Sequence, residues 1–330
     1  MMPAVCKPLA YGVVAIGRNE GERLKRCLSS VSDAALTVYV DSGSSDGSME
    51  WATSRGIEVV ELDTAASFTA ARARNAGFAR LMELAPDLLY VQFVDGDCEM
   101  ISDWPAQAIE FLACHARAAV VFGRRRERHP ERSPYNWLCD QEWSGQPGEV
   151  RYCGGDIMAR TEALRALGGY RDTMIAGEEP ELCVRLRAAG WSIWRIDQEM
   201  TRHDADMLRF GQWWRRTLRS GYAFAEGSHL HGAPPERFWV WESRRALIWG
   251  LGLPLAVLAA LAAIGPIGLA LLLLLPLQVL RQTLRGSGPW QERFKLALFQ
   301  LMARFPEAIG QMKFRVNRLN CSSQEIIEYK

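Results

Sequence analysis

Acidic residues recur where buried strands should end. Asp95 and Asp97 flank Gly96 directly after the apolar run LLYVQFV (88–94). Two carboxylates at the mouth of a buried strand are costly unless something neutralises them. A hard divalent cation does so, taking one or two protein carboxylates while substrate phosphates complete its shell. The plain alternative is an acidic turn open to solvent. Asp41 follows LTVYV (36–40) and opens DSGSSDGS (41–48). It could accept hydrogen bonds from a base or ribose, with glycine letting a ligand approach the backbone; a Gly/Ser turn with an N-capping acid explains the same residues. Gly154, Gly155 and Asp156 stand in YCGGDIMAR (152–160), at the entrance of another strand. Glu178, Glu179 and Glu181 open a helical pattern whose apolar stripe is Leu182, Val184 and Leu186. Acids in a first turn suit the helix dipole, and the same position can hold a general base in a cleft. His203, in TRHDADM after WSIWRI, fits a structural role as well as a ligand.

The elements that must position these groups are legible from periodicity. YGVVAI (11–16), LTVYV, IEVVEL (57–62), LLYVQFV and AAVVF (118–122) are short and almost wholly apolar, as strands covered on both faces are. The LAYGVVAI stretch superficially resembles a secretory leader, but it is short and runs straight into Arg18-Asn19-Glu20, so a first strand is the better reading. Between the strands, Leu24, Leu28 and Val31 mark one helical stripe, and Ala71, Asn75, Phe78, Leu81 and Met82 another. Strand–helix alternation implies a mainly parallel α/β sheet with right-handed crossovers, which binds ligands at the carboxyl ends of its strands.

Composition narrows the field. The 330 residues carry a formal net charge of +1, which gives no pull toward nucleic acid. The eight cysteines, Cys6 and Cys321 among them, form no CxxC pair, and several lie in apolar runs, so a reducing compartment without disulfides or a zinc knuckle is expected. No GxGxxG, P-loop or HExxH motif occurs.

Ala246 to Leu280 contains no charged residue. As one straight helix that run would measure about 52 Å, against a hydrocarbon core of roughly 30 Å. Gly265-Pro266 splits it, and Arg244, Arg245, Arg281 and Arg285 flank it, which favours both ends on the cytoplasmic side and hence a spanning or re-entrant hairpin. A further amphipathic helix is expected over about 291–319, where Phe305, Ile309, Met312, Val316 and Leu319 recur beside basic residues. It suits a membrane interface or packing on the preceding domain. The expected division is 1–240 for the α/β part and 241–330 for the membrane-associated helices.

Taken in order, IGRNE, DSGSSDGS, ARARNAG (71–77), DGD, Cys153-Gly154-Gly155-Asp156, GEEPELCVRLR and the later histidine resemble the family-two glycosyltransferases of the GT-A fold, over about residues 10–225. The resemblance implies a metal-dependent, inverting transfer of a sugar from a nucleotide-sugar, with a UDP-sugar suited to Asp41. It places Glu20 and Asp41 at the nucleoside, supported by Asp46 and Arg74, and Asp95 against ribose and metal. Asp97 and His203 would hold the ion, Mn2+ or Mg2+, in this DxD arrangement, and Asp156 would touch donor sugar or acceptor. The base is normally the aspartate of a Glu-Asp pair; here the pair is Glu178-Glu179, so Glu179 takes that place, with Glu178 and Glu181 open. Where polysaccharide synthases carry Q-x-x-R-W, this chain has Gln212-Trp213-Trp214-Arg215-Arg216 and one apolar hairpin, favouring single transfers. Trp213 and Trp214 fit either an acceptor sugar or a membrane interface. The expected partners are a nucleotide-sugar, a lipid-linked or membrane acceptor and the membrane itself, with no nucleic acid. The expected setting is the bacterial inner membrane, the catalytic part in the cytoplasm, in polysaccharide biosynthesis. Two alternatives stand beside it. A nucleotidyltransferase would need a basic glycine-rich loop where IGRNE lies, and a non-catalytic scaffold would have lost the acids.

Overall fold

A computed structural model describes residues 11–63 and 68–320. Cys6, Cys321 and the first residues of the LAYGVVAI stretch lie outside the described residues. The chain divides into two compact units, the first ending at Leu208 and the second beginning at Arg209.

The first unit is built on nine strands: β1 (Tyr11–Gly17), β2 (Leu36–Asp41), β3 (Glu58–Glu61), β4 (Tyr90–Asp95), β5 (Cys98–Met100), β6 (Ala118–Glu127), β7 (Gly148–Val150), β8 (Ile157–Arg160) and β9 (Ser192–His203). Their order is β3-β2-β1-β4-β8-β6-β9-β5, with β7 beside β9. The first four pair in parallel, as the alternation implied. β8 runs antiparallel between β4 and β6, and so converts the sheet to a mixed one. Register brings the chemistry together: Gly17 pairs with Asp41 and Ile16 with Asp95, so three strands end on one line.

Helices cover both faces. Val14, Ile16, Val38 and Val40 face one core with α3 (Ala70–Leu84), α6 (Thr161–Leu167) and α7 (Glu178–Ala188). Val13, Ala15 and Tyr39 face the other, with α1 (Glu22–Ser30), α2 (Ser48–Ser54) and α4 (Trp104–Cys114). α5 (Pro134–Glu142) follows β6. Side chains that alternate across a pleated strand explain this division between the two cores. The stripes expected on α1 and α3 are buried at Leu24, Leu28, Ala71, Phe78 and Leu81. A Cβ on Gly77 would lie 2.4 Å from Val14, so only glycine lets α3 approach the sheet so closely. Cys27, Cys98, Cys139, Cys153 and Cys183 are buried thiols.

The second unit contains α8 (Phe210–His231), α9 (Val240–Leu247), α10 (Leu253–Ile264), α11 (Leu274–Arg285), α12 (Trp290–Met302) and α13 (Arg304–Leu319). Within this unit α8 packs on α13 through small residues. A Cβ on Gly221 would meet the Glu307 backbone at 2.1 Å, and one on Gly310 the Leu218 carbonyl at 2.0 Å. The single amphipathic helix expected over 291–319 is two, separated at Ala303. α13 packs on α8 through Gly310 and Phe314, with Tyr222 and Phe314 edge to face at 5.2 Å, and leaves Met312, Val316 and Leu319 of the expected stripe exposed; α12 leaves Trp290, Phe294 and Leu298 exposed. Residues Val240–Arg285 form a helical run long and apolar enough to cross a membrane. It is interrupted at Gly265, whose φ of +66° stops α10, and Gly268 returns to the backbone of Ala260 and Leu261, as a hairpin requires.

Candidate functional site

The strand ends β1, β2 and β4 open into two linked clusters. The first is a loop scaffold. Asp41 is wholly buried at the end of β2. Its Oδ1 accepts from the amides of Gly43 at 2.8 Å and Ser44 at 2.7 Å, and its Oδ2 accepts from the Tyr39 hydroxyl at 2.7 Å. Asp41 therefore shapes the loop after β2, and the faces that loop presents, with both of its oxygens already engaged. Asp46 links this loop to the one after β1, accepting from Gly21 N at 2.9 Å and Ser48 N at 3.1 Å. Its burial opposes ionisation, but the Ser48 and Gly21 hydrogen bonds outweigh it and lower its pKa. Asn19 adds a third tie, its amide donating to Ser44 Oγ at 2.9 Å and its Oδ1 accepting from Ser45 N at 2.8 Å. Glu20 is buried beside Gly96 and paired with Arg23 at 2.7 Å.

The second cluster gathers the carboxylates. Arg74, 2% exposed, reaches Asp95 at 2.9 Å, Glu178 at 2.7 Å and Glu179 at 2.9 Å. The resemblance had placed Arg74 beside the nucleoside pocket; the fold puts it at the junction of Asp95 with the glutamate pair. Burial presses its pKa down, yet Glu179, Asp95 and Glu178 raise it well above the ordinary value. The CGGD loop makes room for this junction, since a Cβ on Gly155 would stand 2.7 Å from Arg74 and 2.9 Å from Asp95. Asp156, 2% exposed, accepts from Asp95 N at 3.0 Å and from Thr201 Oγ1 at 2.6 Å.

Gly177, at φ +81°, turns the chain into α7 and sets Glu178 and Glu179 on Arg74. Glu181 lies about 200° around the helix from Glu179. It is fully buried and gripped by Arg185 at 2.8 Å and Arg171 at 3.2 Å, away from the cluster. Glu179 keeps 12% of its side chain exposed. Burial, then the neighbouring Glu178, raise its pKa to about 7 against the pull of Arg74. Replacing Arg74 with methionine would leave these acids buried without a partner. A loss of about 3–5 kcal/mol is expected in denaturant unfolding, as for other broken buried pairs.

Asp97 and His203 form a candidate cation corner. Asp97 Oδ2 and His203 Nε2 are 3.5 Å apart, and His203 Nδ1 lies 2.9 Å from Glu127 Oε2. Burial and Arg125 press the His203 pKa down, but Asp97 and Glu127 outweigh them and hold it above its usual value. Cys98 completes a group whose ligand atoms lie within 4.8 Å of one another. Burial raises its thiol pKa well above normal, so it stays protonated and donates to Asp97 Oδ1 at 3.5 Å. Five carboxylates, Asp95, Asp97, Asp156, Glu178 and Glu179, face two buried arginines, Arg74 and Arg125. That excess of negative charge, with one oxygen and one imidazole nitrogen at ligand spacing, fits a divalent ion held by Asp97 and His203.

Three site residues escaped the sequence reading. Arg125 and Glu127 point inward from β6, where RRRE looks like a solvated strand exit; the two-residue alternation continued from Val121 places both inside. Trp143 packs its ring on Gly154 and under the Arg125 guanidinium, 5.0 Å from its centroid. Trp213 and Trp214 belong to the helical unit. Trp213 is 5% exposed between Phe210 and Phe299, which leaves no open ring face for a sugar, and Trp214 is half-buried against Phe210.

No curated protein matches the sequence significantly. Among solved structures, the mannosyltransferase PcManGT from Pyrobaculum calidifontis, in complex with GDP-Man and Mn2+, aligns with a TM-score of 0.61 at 19% identity, covering 93% of this chain and 88% of that one. Residues 1-349 of S. aureus TarS, in complex with UDP, align with a TM-score of 0.50 at 12% identity, covering 93% and 92%. These likenesses show a GT-A fold. Residues 13–165, the segment that carries Asp41, Asp95 and Asp97, match the sequence profile of Glycosyl transferase family 2, and with the GT-A likeness this marks the first unit as a glycosyltransferase domain.

Proposed function

We propose that the chain is a divalent-metal-dependent, inverting glycosyltransferase that moves one sugar from a nucleotide-sugar, a UDP-sugar by the Asp41 resemblance, to a hydroxyl of a membrane-presented acceptor such as a lipid-linked saccharide. The observation that carries this reading is Glu179. It is a partly exposed carboxylate raised to about 7, fixed by Arg74 to Asp95, two residues before Asp97 of the cation corner. A base with a pKa near the working pH contributes about 10²–10⁴-fold.

The acceptor oxygen attacks the anomeric carbon from the face opposite the diphosphate. Glu179 takes the acceptor proton as the new C–O bond forms and the bond to the diphosphate oxygen breaks. Arg74 keeps Glu179 aimed, and the hydrogen-bonded loops around Asp41 and Asp46 hold the nucleoside end still. Asp97 and His203 would hold the divalent ion, which would supply positive charge against the departing diphosphate. Inversion is checked by NMR of the product: an α-linked donor should give a β-linkage, and an α-linked product would refute single displacement.

The apolar hairpin supports attachment at the cytoplasmic face of a bacterial inner membrane in cell-envelope or exopolysaccharide synthesis, because arginines flank it at both ends. Leu258 and Leu273 are each 62% exposed, so glutamate at both should spare the fold. Each charge should cost about 2.5–3.5 kcal/mol in the bilayer. The double variant should leave the pellet in vesicle sedimentation; a variant that still pellets with vesicles would remove the hairpin from the attachment.

A further inference from the structure

The two buried arginines of the site are held in different ways. Arg74 makes three contacts of 2.7–2.9 Å, the spacing of committed charge-assisted hydrogen bonds. Arg125 is equally central but makes none so short. Its guanidinium lies 3.3 Å from Asp95, 3.6 Å from Asp156 and 3.9 Å from Asp97. Its Nε is buried without a hydrogen-bond partner in the protein. A guanidinium that is 7% exposed and surrounded by three carboxylates is retained by charge. It is not pinned by geometry to any one of them. Its guanidinium carbon lies over the Trp143 ring, 5.0 Å from the centroid, a contact that tolerates sliding better than a bidentate pair.

Asp97, one of the three acids it neutralises, also belongs to the cation corner. We propose that Arg125 is a resident counter-cation of the metal site: it balances Asp95, Asp97 and Asp156 in the free enzyme, yields Asp97 when the divalent ion enters, and turns on the Trp143 ring toward the donor diphosphate. The inference rests on the metal assignment made above. Like charges within a few ångströms oppose each other, so Arg125 and the ion compete for the same carboxylates until diphosphate arrives to take up the surplus positive charge. Arg125 thereby couples metal binding to donor binding, weakening the ion alone and strengthening it in the ternary complex. It acts as a positioning residue and takes no part in proton transfer.

The test reads metal affinity directly. Mn2+ binding to full-length protein in detergent is measured by titration calorimetry and by the free-Mn2+ EPR signal, with and without UDP and GDP. Arg125→Gln is expected to bind Mn2+ alone about tenfold more tightly than wild type, because the competing charge is gone. It should also lose most of the gain in Mn2+ affinity that the nucleoside diphosphate confers on wild type. Arg125→Lys, which keeps the charge, should stay close to wild type for Mn2+ alone. Unchanged or weaker Mn2+ binding by a folded Arg125→Gln overturns the inference, and so does equal tightening in Arg125→Lys. If the glutamine variant does not fold, the wild type still decides. Saturating Mg2+ should shift the Arg125 Nε–H resonance, assigned by its loss in Arg125→Lys, and an unmoved resonance overturns the inference. A wild type that binds no divalent ion under any condition overturns the metal assignment and this inference together. Tight wild-type binding with an indifferent Arg125 overturns this inference alone.

Discussion

Glu179→Gln is expected to lower kcat by about 10²–10⁴-fold while leaving donor affinity within a few-fold of wild type. The substitution preserves shape, and its amide oxygen still accepts from Arg74, so the junction with Asp95 survives. What is lost is the ability to take the acceptor proton. The pH profile offers an independent reading. Glu179 must be ionised to act, and burial with Glu178 raises its pKa to about 7. The wild-type log kcat should therefore climb with unit slope up to about pH 7 and then level, and the glutamine variant should lack that limb. Stability runs the other way. The folded chain holds this proton to about pH 7, while the unfolded chain releases it near 4.5. This group therefore withdraws stability as pH rises through that window, and Glu179→Gln should melt above wild type at pH 8. If Glu178→Gln shows the loss of transfer with donor binding intact, the base belongs to Glu178. Glu181→Gln should instead unsettle the fold, because Glu181 is fully buried between Arg171 and Arg185.

Asp97→Asn is expected to remove metal-dependent turnover, with kcat/KM falling by about 10²–10³-fold, the scale of losing one preorganised electrostatic contact to developing charge. Asp97 supplies the carboxylate 3.5 Å from His203 Nε2, while Glu127 lies on the far nitrogen. The neutral variant also relieves one buried negative charge, so its melting temperature should hold or rise. Loss of activity together with loss of fold would leave the drop unconnected to metal; near-normal metal-dependent turnover would remove Asp97 from the corner.

Much of the catalytic unit was legible because a buried parallel sheet writes itself as uninterrupted apolar runs. Each of the five runs became a strand, and the acids after LTVYV and LLYVQFV lie level with the end of YGVVAI because register is set by the same hydrophobic pattern. The antiparallel insertion of β8 was not legible, since a four-residue strand after a glycine loop carries no direction in its composition. Arg125 and Glu127 were hidden by their own charge: RRRE resembles a solvated exit unless strand parity is followed to its end. Three adjacent glutamates resemble a single acidic patch, and only the helical turn separates Glu179 from Glu181. The packing of α8 on α13 was not legible, because it runs through Gly221 and Gly310, where small size carries the contact and no apolar signal marks it.

The most direct test is the thermal stability of the full-length protein in detergent with UDP, GDP and CMP, and their common sugars, each with and without Mn2+. At about 100 times its dissociation constant, a ligand that binds only the folded state adds about 2.7 kcal/mol of stability. A metal-dependent nucleotide-sugar transferase should be stabilised by one nucleotide class, and only when Mn2+ is present. A folded protein that responds to none of these nucleotides in the presence of Mn2+ would contradict the account, leaving a transferase fold without a donor site.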